Sequence, residues 1–231
     1  LPAAARAEGQ TQLAFNDDGT FTVMLVADAQ DLPYVSPYFA RALGGALDDY
    51  DVDLVIYLGD QLDGGSPLFR IGSAERNVRR GIGGVLAPVV SRNLPFAFVF
   101  GGRDMEAGLS AERQLSIYQS YAGCLTVDAD PDLPGCGTCA LPVRAADGGG
   151  VLLNLYLFDS DGAWVDGGAV SAEQIDWYRR SGDALRAENG NTAVPSVAFL
   201  HTIVPEVYDA LESAEAGADG AFMGEGAHEN E

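Results

Sequence analysis

The chain has 231 residues, enough for one sizeable core, and at 47% hydrophobic and 9% aromatic residues it is not a disordered chain. No apolar run approaches the roughly 20 residues of a membrane helix, which excludes a helical span. The net charge of −21, with all 13 basic residues arginine, sets the chain against phosphate backbones and anionic bilayers, so no nucleic-acid partner is expected.

The N-terminal stretch LPAAARAEGQ ends its small residues in Ala5-Arg6-Ala7, the A-x-A pattern of a signal-peptidase site. Residues 1–19 are therefore expected to be a flexible flank left by an export signal, ahead of a single domain at 20–231. Such a chain is expected in a secreted or cell-envelope location, and otherwise in the cytoplasm. FTVMLVAD at 21–28 predicts a strand ending in Asp28. Ser36 and Pro37 then open a helix running to Asp49, as N-cap and first helical residue. LVIYLG at 54–59 predicts a second strand, ending at Asp60, and Ser73 caps an imperfect helix over 73–92. Pro95 to Phe100 predicts a third strand, followed by a helix at 110–121.

Cys124, Cys136 and Cys139 lie in a loop dense in Gly, Pro and Asp. A redox CxxC opens a helix, whereas CGTC leads into the extended-looking ALPV, and a zinc knuckle lacks its fourth ligand. A local Cys124–Cys136 disulfide fits better and implies an oxidising compartment; a thiol redox protein acting through CGTC is the remaining alternative. A strand follows at 151–158, then a helix at 171–187 capped by Ser171, and a strand at 195–200 ending in His201. The stretch at 211–231 is weakly patterned.

Apolar strands joined by helical crossovers predict an α/β fold with a parallel sheet covered on both faces. Four of these strands end in Asp28, Asp60, Arg103-Asp104 and His201. In parallel α/β sheets ligands sit outside the carboxyl ends of the strands, so these residues mark a candidate site.

The motifs Asp28-Ala29-Gln30, Gly59-Asp60-Gln61, Gly101-Gly102-Arg103-Asp104 and the isolated His201 occur in an order that resembles the calcineurin-like metallophosphoesterases, in the purple acid phosphatase-like bacterial and fungal branch. The surrounding DLVIYLGDQ, FAFVFGGRDMEAG and AFLHTIVPE resemble that branch too, over about residues 20 to 210. The resemblance implies two packed β-sheets flanked by helices, and metal-dependent hydrolysis of a phosphate ester by two cations of Mn, Fe or Zn. It implies Asp28 and Gln30 on one metal, Asp60 as a bridge and His201 on the other, with Arg103 and Asp104 at the catalytic centre.

The chain also departs from that pattern. Gly102 stands where the family has a ligating asparagine and Arg103 where it has a histidine; glycine offers no side-chain donor, and arginine does not exchange a proton. A guanidinium still binds phosphate bidentately, which makes Arg103 a substrate-binding residue as well. The closing Gly-His-x-His has only a superficial echo in Gly226-Ala227-His228-Glu229. The domain is therefore expected to be C-terminally incomplete, with fewer than two metals or none, and to be a weak phosphoesterase. The alternative is an inactive pseudophosphatase that binds a phosphorylated or anionic ligand or a protein partner.

Overall fold

The computed structural model describes residues 11–34, 36–160, 170–207 and 209–210. Ala5-Arg6-Ala7 and His228 lie outside them. In chain order the elements are β1 (Leu13–Ala14), β2 (Val23–Val26), α1 (Pro37–Asp49), β3 (Leu54–Leu58), α2 (Ala74–Val90), β4 (Phe96–Val99), α3 (Gly102–Met105) and α4 (Ala111–Tyr118). There follow β5 (Cys139–Arg144), β6 (Val151–Leu157), α5 (Ala172–Glu188) and β7 (Ser196–Phe199), and a 3-10 turn spans Pro67–Arg70.

The helices begin where their serines place them. The hydroxyls of Ser36, Ser73, Ser110 and Ser171 accept from the backbone N–H groups of Tyr38, Arg76, Arg113 and Gln174, satisfying donors that the first turn leaves unpaired. At α5 the cap is reciprocal, because the Gln174 side chain also accepts from the N–H of Ser171.

Among the described residues the strands form two sheets rather than one. The first, β2-β3-β4, is parallel throughout; the second, β1-β5-β6-β7, joins β5 and β6 antiparallel and is otherwise parallel. The later strands thus do not extend the parallel sheet that periodicity alone predicts. They build a second layer, as the family resemblance implies. The expected N-terminal flank also reaches too far, since Leu13 and Ala14 pair with Val143 and Arg144 and Leu13 is buried.

Alternation along β3 and β4 explains the layering. Val55, Tyr57, Phe96 and Phe98 pack with Leu47 of α1, with Val78, Ile82 and Val85 of α2, and with Tyr118 of α4. Leu54, Ile56, Ala97 and Val99 point the other way and meet Leu141, Val143, Leu155 and Leu157 of the second sheet. On the far side of that sheet Tyr156 and Phe158 meet Trp177 of α5 edge-on. The order of layers is helices, sheet, sheet, helix: a mixed α/β fold consistent with a calcineurin-like architecture.

The expected Cys124–Cys136 disulfide is not formed. Cys124 sits beside Phe96 through an isolated bridge, whereas the backbone of Cys136 is drawn towards Asp159, whose Oδ2 accepts its N–H at 2.6 Å. Burial pushes both thiols up to about 12, the reverse of a redox cysteine, and Cys139 begins a strand rather than a helix. CGTC is part of a core segment, not a thiol redox motif, and the disulfide no longer argues for an oxidising compartment.

Candidate metal centre

The carboxyl ends of β2 and β3 are laced together before either contributes a side chain. Asp28 N–H donates to the Gly59 carbonyl at 3.1 Å, Gln30 N–H to Asp60 at 2.9 Å and Asp31 N–H to Gln61 at 2.9 Å. Following these bonds forces left-handed backbone on three residues with side chains: Asp28, Gln30 and Asp60 have φ of 52°, 40° and 53°. Such conformations cost about 1–3 kcal/mol each and persist where the surroundings over-determine them. All three are residues the sequence singles out.

Into this loop pair comes His201, from the end of β7 in the other sheet. Its Nδ1 lies 2.8 Å from the carbonyl oxygen of Leu58, so the ring donates from Nδ1 and turns Nε2 towards Asp60 Oδ1 at 3.5 Å. The approach is close enough to require glycine at the intervening position. Gly59 has φ of +94°, and a Cβ there would fall 2.6 Å from His201 Nδ1. One ligand atom each from Asp28, Asp60 and His201 lie within 4.8 Å of one another, and this is the one such grouping of three or more His, Cys, Asp or Glu among the described residues. Two carboxylates and an imidazole with an oriented ring suit a divalent metal ion.

The FAFVFGGRD segment delivers its residues differently from the sequence expectation. Gly101 faces Asp60 so closely that a Cβ would lie 2.2 Å from Asp60 Oδ1. The following turn lets Arg103 donate its backbone N–H to that same oxygen at 2.8 Å, fixing the Asp60 rotamer. The Arg103 side chain is half exposed and paired with Glu106 at 3.2 Å.

Asp104, expected among the catalytic groups, is wholly buried and turned inward. Its Oδ1 accepts from Leu62 N–H at 2.9 Å and its Oδ2 from Gly101 N–H at 3.0 Å. With its amide oriented to satisfy both ends, Gln61 adds a donor to Oδ2 at 2.9 Å and accepts from Gly59 N–H at 2.8 Å. Burial lifts the Asp104 carboxyl to about 7, against the opposing pull of the Gly101 and Leu62 donors. Asp104 and Gln61 hold the three site loops in register and carry no open face for a ligand.

The structure thus brings Asp28, Asp60 and His201 together, with Gln30 beside them through its backbone and Arg103 at the edge. Sequence reasoning quoted Gln61 only within the Gly59-Asp60-Gln61 motif, without this role, and missed Asp31. Asp31 is buried, and its carboxylate accepts from Leu32 and Ser36 N–H at 2.8 and 2.9 Å, closing the loop that leads into α1. An Asp a few residues ahead of a Ser-Pro helix start was the available signal.

No protein-family model matches the chain. It is 23% identical over 236 residues to an Arabidopsis thaliana protein named "Probable inactive purple acid phosphatase 14"; the match covers 86% of this chain and 57% of that protein. The chain therefore spans little more than half the length of this curated relative. That distant similarity, together with two helix-flanked sheets and an Asp/Asp/His group at their carboxyl ends, supports a place for the chain in the metallophosphoesterase superfamily.

Proposed function

We propose that this chain holds a single divalent cation at Asp28, Asp60 and His201 and binds a phosphate ester there, with hydrolysis weak or absent. The observation that carries this reading is the convergence of three ligand atoms within 4.8 Å, one of them an imidazole nitrogen whose tautomer is fixed by Leu58. A cation bound there supplies Lewis-acid polarisation of a phosphoryl oxygen. The rest falls to the chain's own groups. Asp60 is held in one rotamer by Arg103 N–H, and the His201 ring is oriented by the bond from its Nδ1 to Leu58. The Arg103 guanidinium is available for a phosphate once it leaves Glu106.

Two features favour weak turnover. Gly102 contributes no donor for a second cation, and Arg103 is permanently charged, so it neither gives nor takes a proton at the leaving oxygen. The relative whose name includes "inactive" fits this reading. The test is metal analysis of the purified chain beside hydrolysis of a chromogenic phosphomonoester and phosphodiester. One bound cation with little turnover is expected. Two tightly held cations with rapid turnover would overturn the proposal, and Asp60→Asn should abolish whatever cation binding is seen.

A further inference from the structure

The 13 arginines of this acidic chain are unevenly used. Arg79, Arg92, Arg103, Arg113, Arg179 and Arg186 each reach a carboxylate. Arg41, Arg76 and Arg80 have no carboxylate partner among the described residues, and two of them lie against tyrosine rings instead. Arg41 sits 5.2 Å over Tyr38; Arg80 sits 5.8 Å over Tyr34 and donates to its hydroxyl at 3.4 Å. Those rings are among the most exposed large apolar groups of the fold, Tyr34 at 73% and Tyr38 at 76%.

Helical spacing puts Arg41 on the stripe of α1 that carries Gly44 and Asp48, both bonded by Arg92 from the end of α2, and puts Arg76 one turn before Arg80, which reaches Tyr34. Arg92, just past the end of α2, holds Asp48 in the last turn of α1 at 2.6 Å, and Arg80, in the second turn of α2, reaches Tyr34 in the loop before α1. The two helices therefore run side by side in the same sense, with their first turns at the carboxyl edge of the parallel sheet. That edge carries Asp28 and Asp60. Tyr34 is four residues beyond Gln30, so its Cα lies within about 14 Å of it however the loop runs. Two acids of this region are already engaged: Glu75 is held by Arg79 and Arg113, and the Asp31 carboxylate is turned inward onto Leu32 and Ser36.

Helix logic opposes this placement. Arg76, Arg79 and Arg80 occupy the first two turns of α2, where the helix dipole favours acids, and no acid follows Glu75 in the helix. A locally unfavourable cluster of cations, laid against exposed aromatic rings in a chain of charge −21, is suited to an anion. We infer that the surface of Tyr34, Tyr38, Arg41, Arg76 and Arg80 binds a second anionic group, a phosphate or carboxylate, on the alcohol part of the ester whose reacting phosphate sits at Asp28, Asp60 and His201. The inference rests on the site reading proposed above and names the class of ester it takes, one whose leaving alcohol is itself charged.

The experiment compares binding of a linear alkanediol bisphosphate with that of the matching alkyl monophosphate, by calorimetry, with Mn²⁺ present and in chelator-treated protein. The double variant Arg41→Glu/Arg80→Glu is expected to lose at least about tenfold in affinity for the bisphosphate and to bind the monophosphate as the wild type does. Reversing Arg179 and Arg180 on α5 changes net charge equally and should leave both affinities unchanged. Equal weakening of both ligands, equal effects of the two double variants, or no bisphosphate binding by the wild type each overturns the inference. If Mn²⁺ and the monophosphate fail to bind but the bisphosphate still binds through Arg41 and Arg80, the metal reading falls and the anion surface stands. All four arginines are exposed, so an unchanged thermal midpoint verifies that each variant is folded.

Discussion

His201 Nδ1 and the Leu58 carbonyl oxygen, 2.8 Å apart, join the carboxyl ends of two different sheets. Leu58 belongs to the parallel sheet and His201 follows β7 of the mixed one, so the candidate centre spans the seam between them. Any ligand that uses both Asp60 and His201 grips the two sheets at once.

This relationship makes Gly59 as important as the candidate ligands themselves. Gly59→Ala places a methyl group 2.6 Å from His201 Nδ1 at a backbone φ of +94°. Calorimetry with Mn²⁺ should show at least about tenfold weaker binding, as loss of an outer partner of a ligating imidazole does. His201→Ala should weaken binding similarly while leaving the thermal midpoint nearer that of the wild type. A Gly59→Ala protein that binds Mn²⁺ normally would show that the close approach is not needed.

Gly101 offers a second test away from the ligand set. A Cβ there would lie 2.2 Å from Asp60 Oδ1, so Gly101→Ala must displace the carboxylate or the turn. The expected outcome is lost cation affinity with a fall in stability of about 1–3 kcal/mol by denaturant titration. The paired change Gly102→Asn with Arg103→His, by contrast, adds donors, and metal analysis should show a higher cation content. An unchanged content would place the deficit elsewhere than in this loop.

Asp104 is expected to govern stability rather than chemistry. Asp104→Leu leaves the buried Leu62 and Gly101 N–H groups without acceptors, at roughly 1–3 kcal/mol for each. The pH dependence has a definite sign. The carboxyl is lifted from 3.8 to about 7 on folding, so the folded state holds its proton more tightly. Its contribution is fully present below the unfolded value and is lost as pH rises through about 7. Denaturation of the wild type from pH 4 to 8 should show this decline, and Asp104→Asn should remove it.

The thiols provide a further, independent check. With Cys124 and Cys136 pushed up to about 12 by burial, neither is a thiolate at pH 8. An aromatic disulfide reagent should react slowly with the folded protein and then with all three cysteines on denaturation. Recovery of a single thiol from non-reduced, denatured protein would restore the disulfide.

How much of this was legible in the sequence depends on how local its cause is. The strands at 54–58 and 96–99 were readable because both faces are buried, so every residue is apolar. The serine caps at 36, 73, 110 and 171 were readable because a cap is a contact within three residues. Asp28, Asp60 and His201 were readable as strand ends, and their order carried the family resemblance. The separation into two sheets was not visible from periodicity, because a strand pattern does not state its partner. Nor was the inward turn of Asp104, which depends on Leu62, 42 residues earlier. A two-residue strand such as Leu13–Ala14 has no period at all.

The alternation along β3 and β4 has one last consequence. Each of these strands is a party wall: Tyr57 and Phe98 belong to one room of the protein, Ile56 and Val99 to the other. Neither room can be emptied without moving the wall, and both walls lead within a few residues to Asp60 and Gly101. Phe98→Ala, at a core cost of about 3–5 kcal/mol, and a comparable truncation of Leu155 across the seam should therefore disturb the same turn from opposite sides. The centre is sited where it reports the integrity of the whole fold.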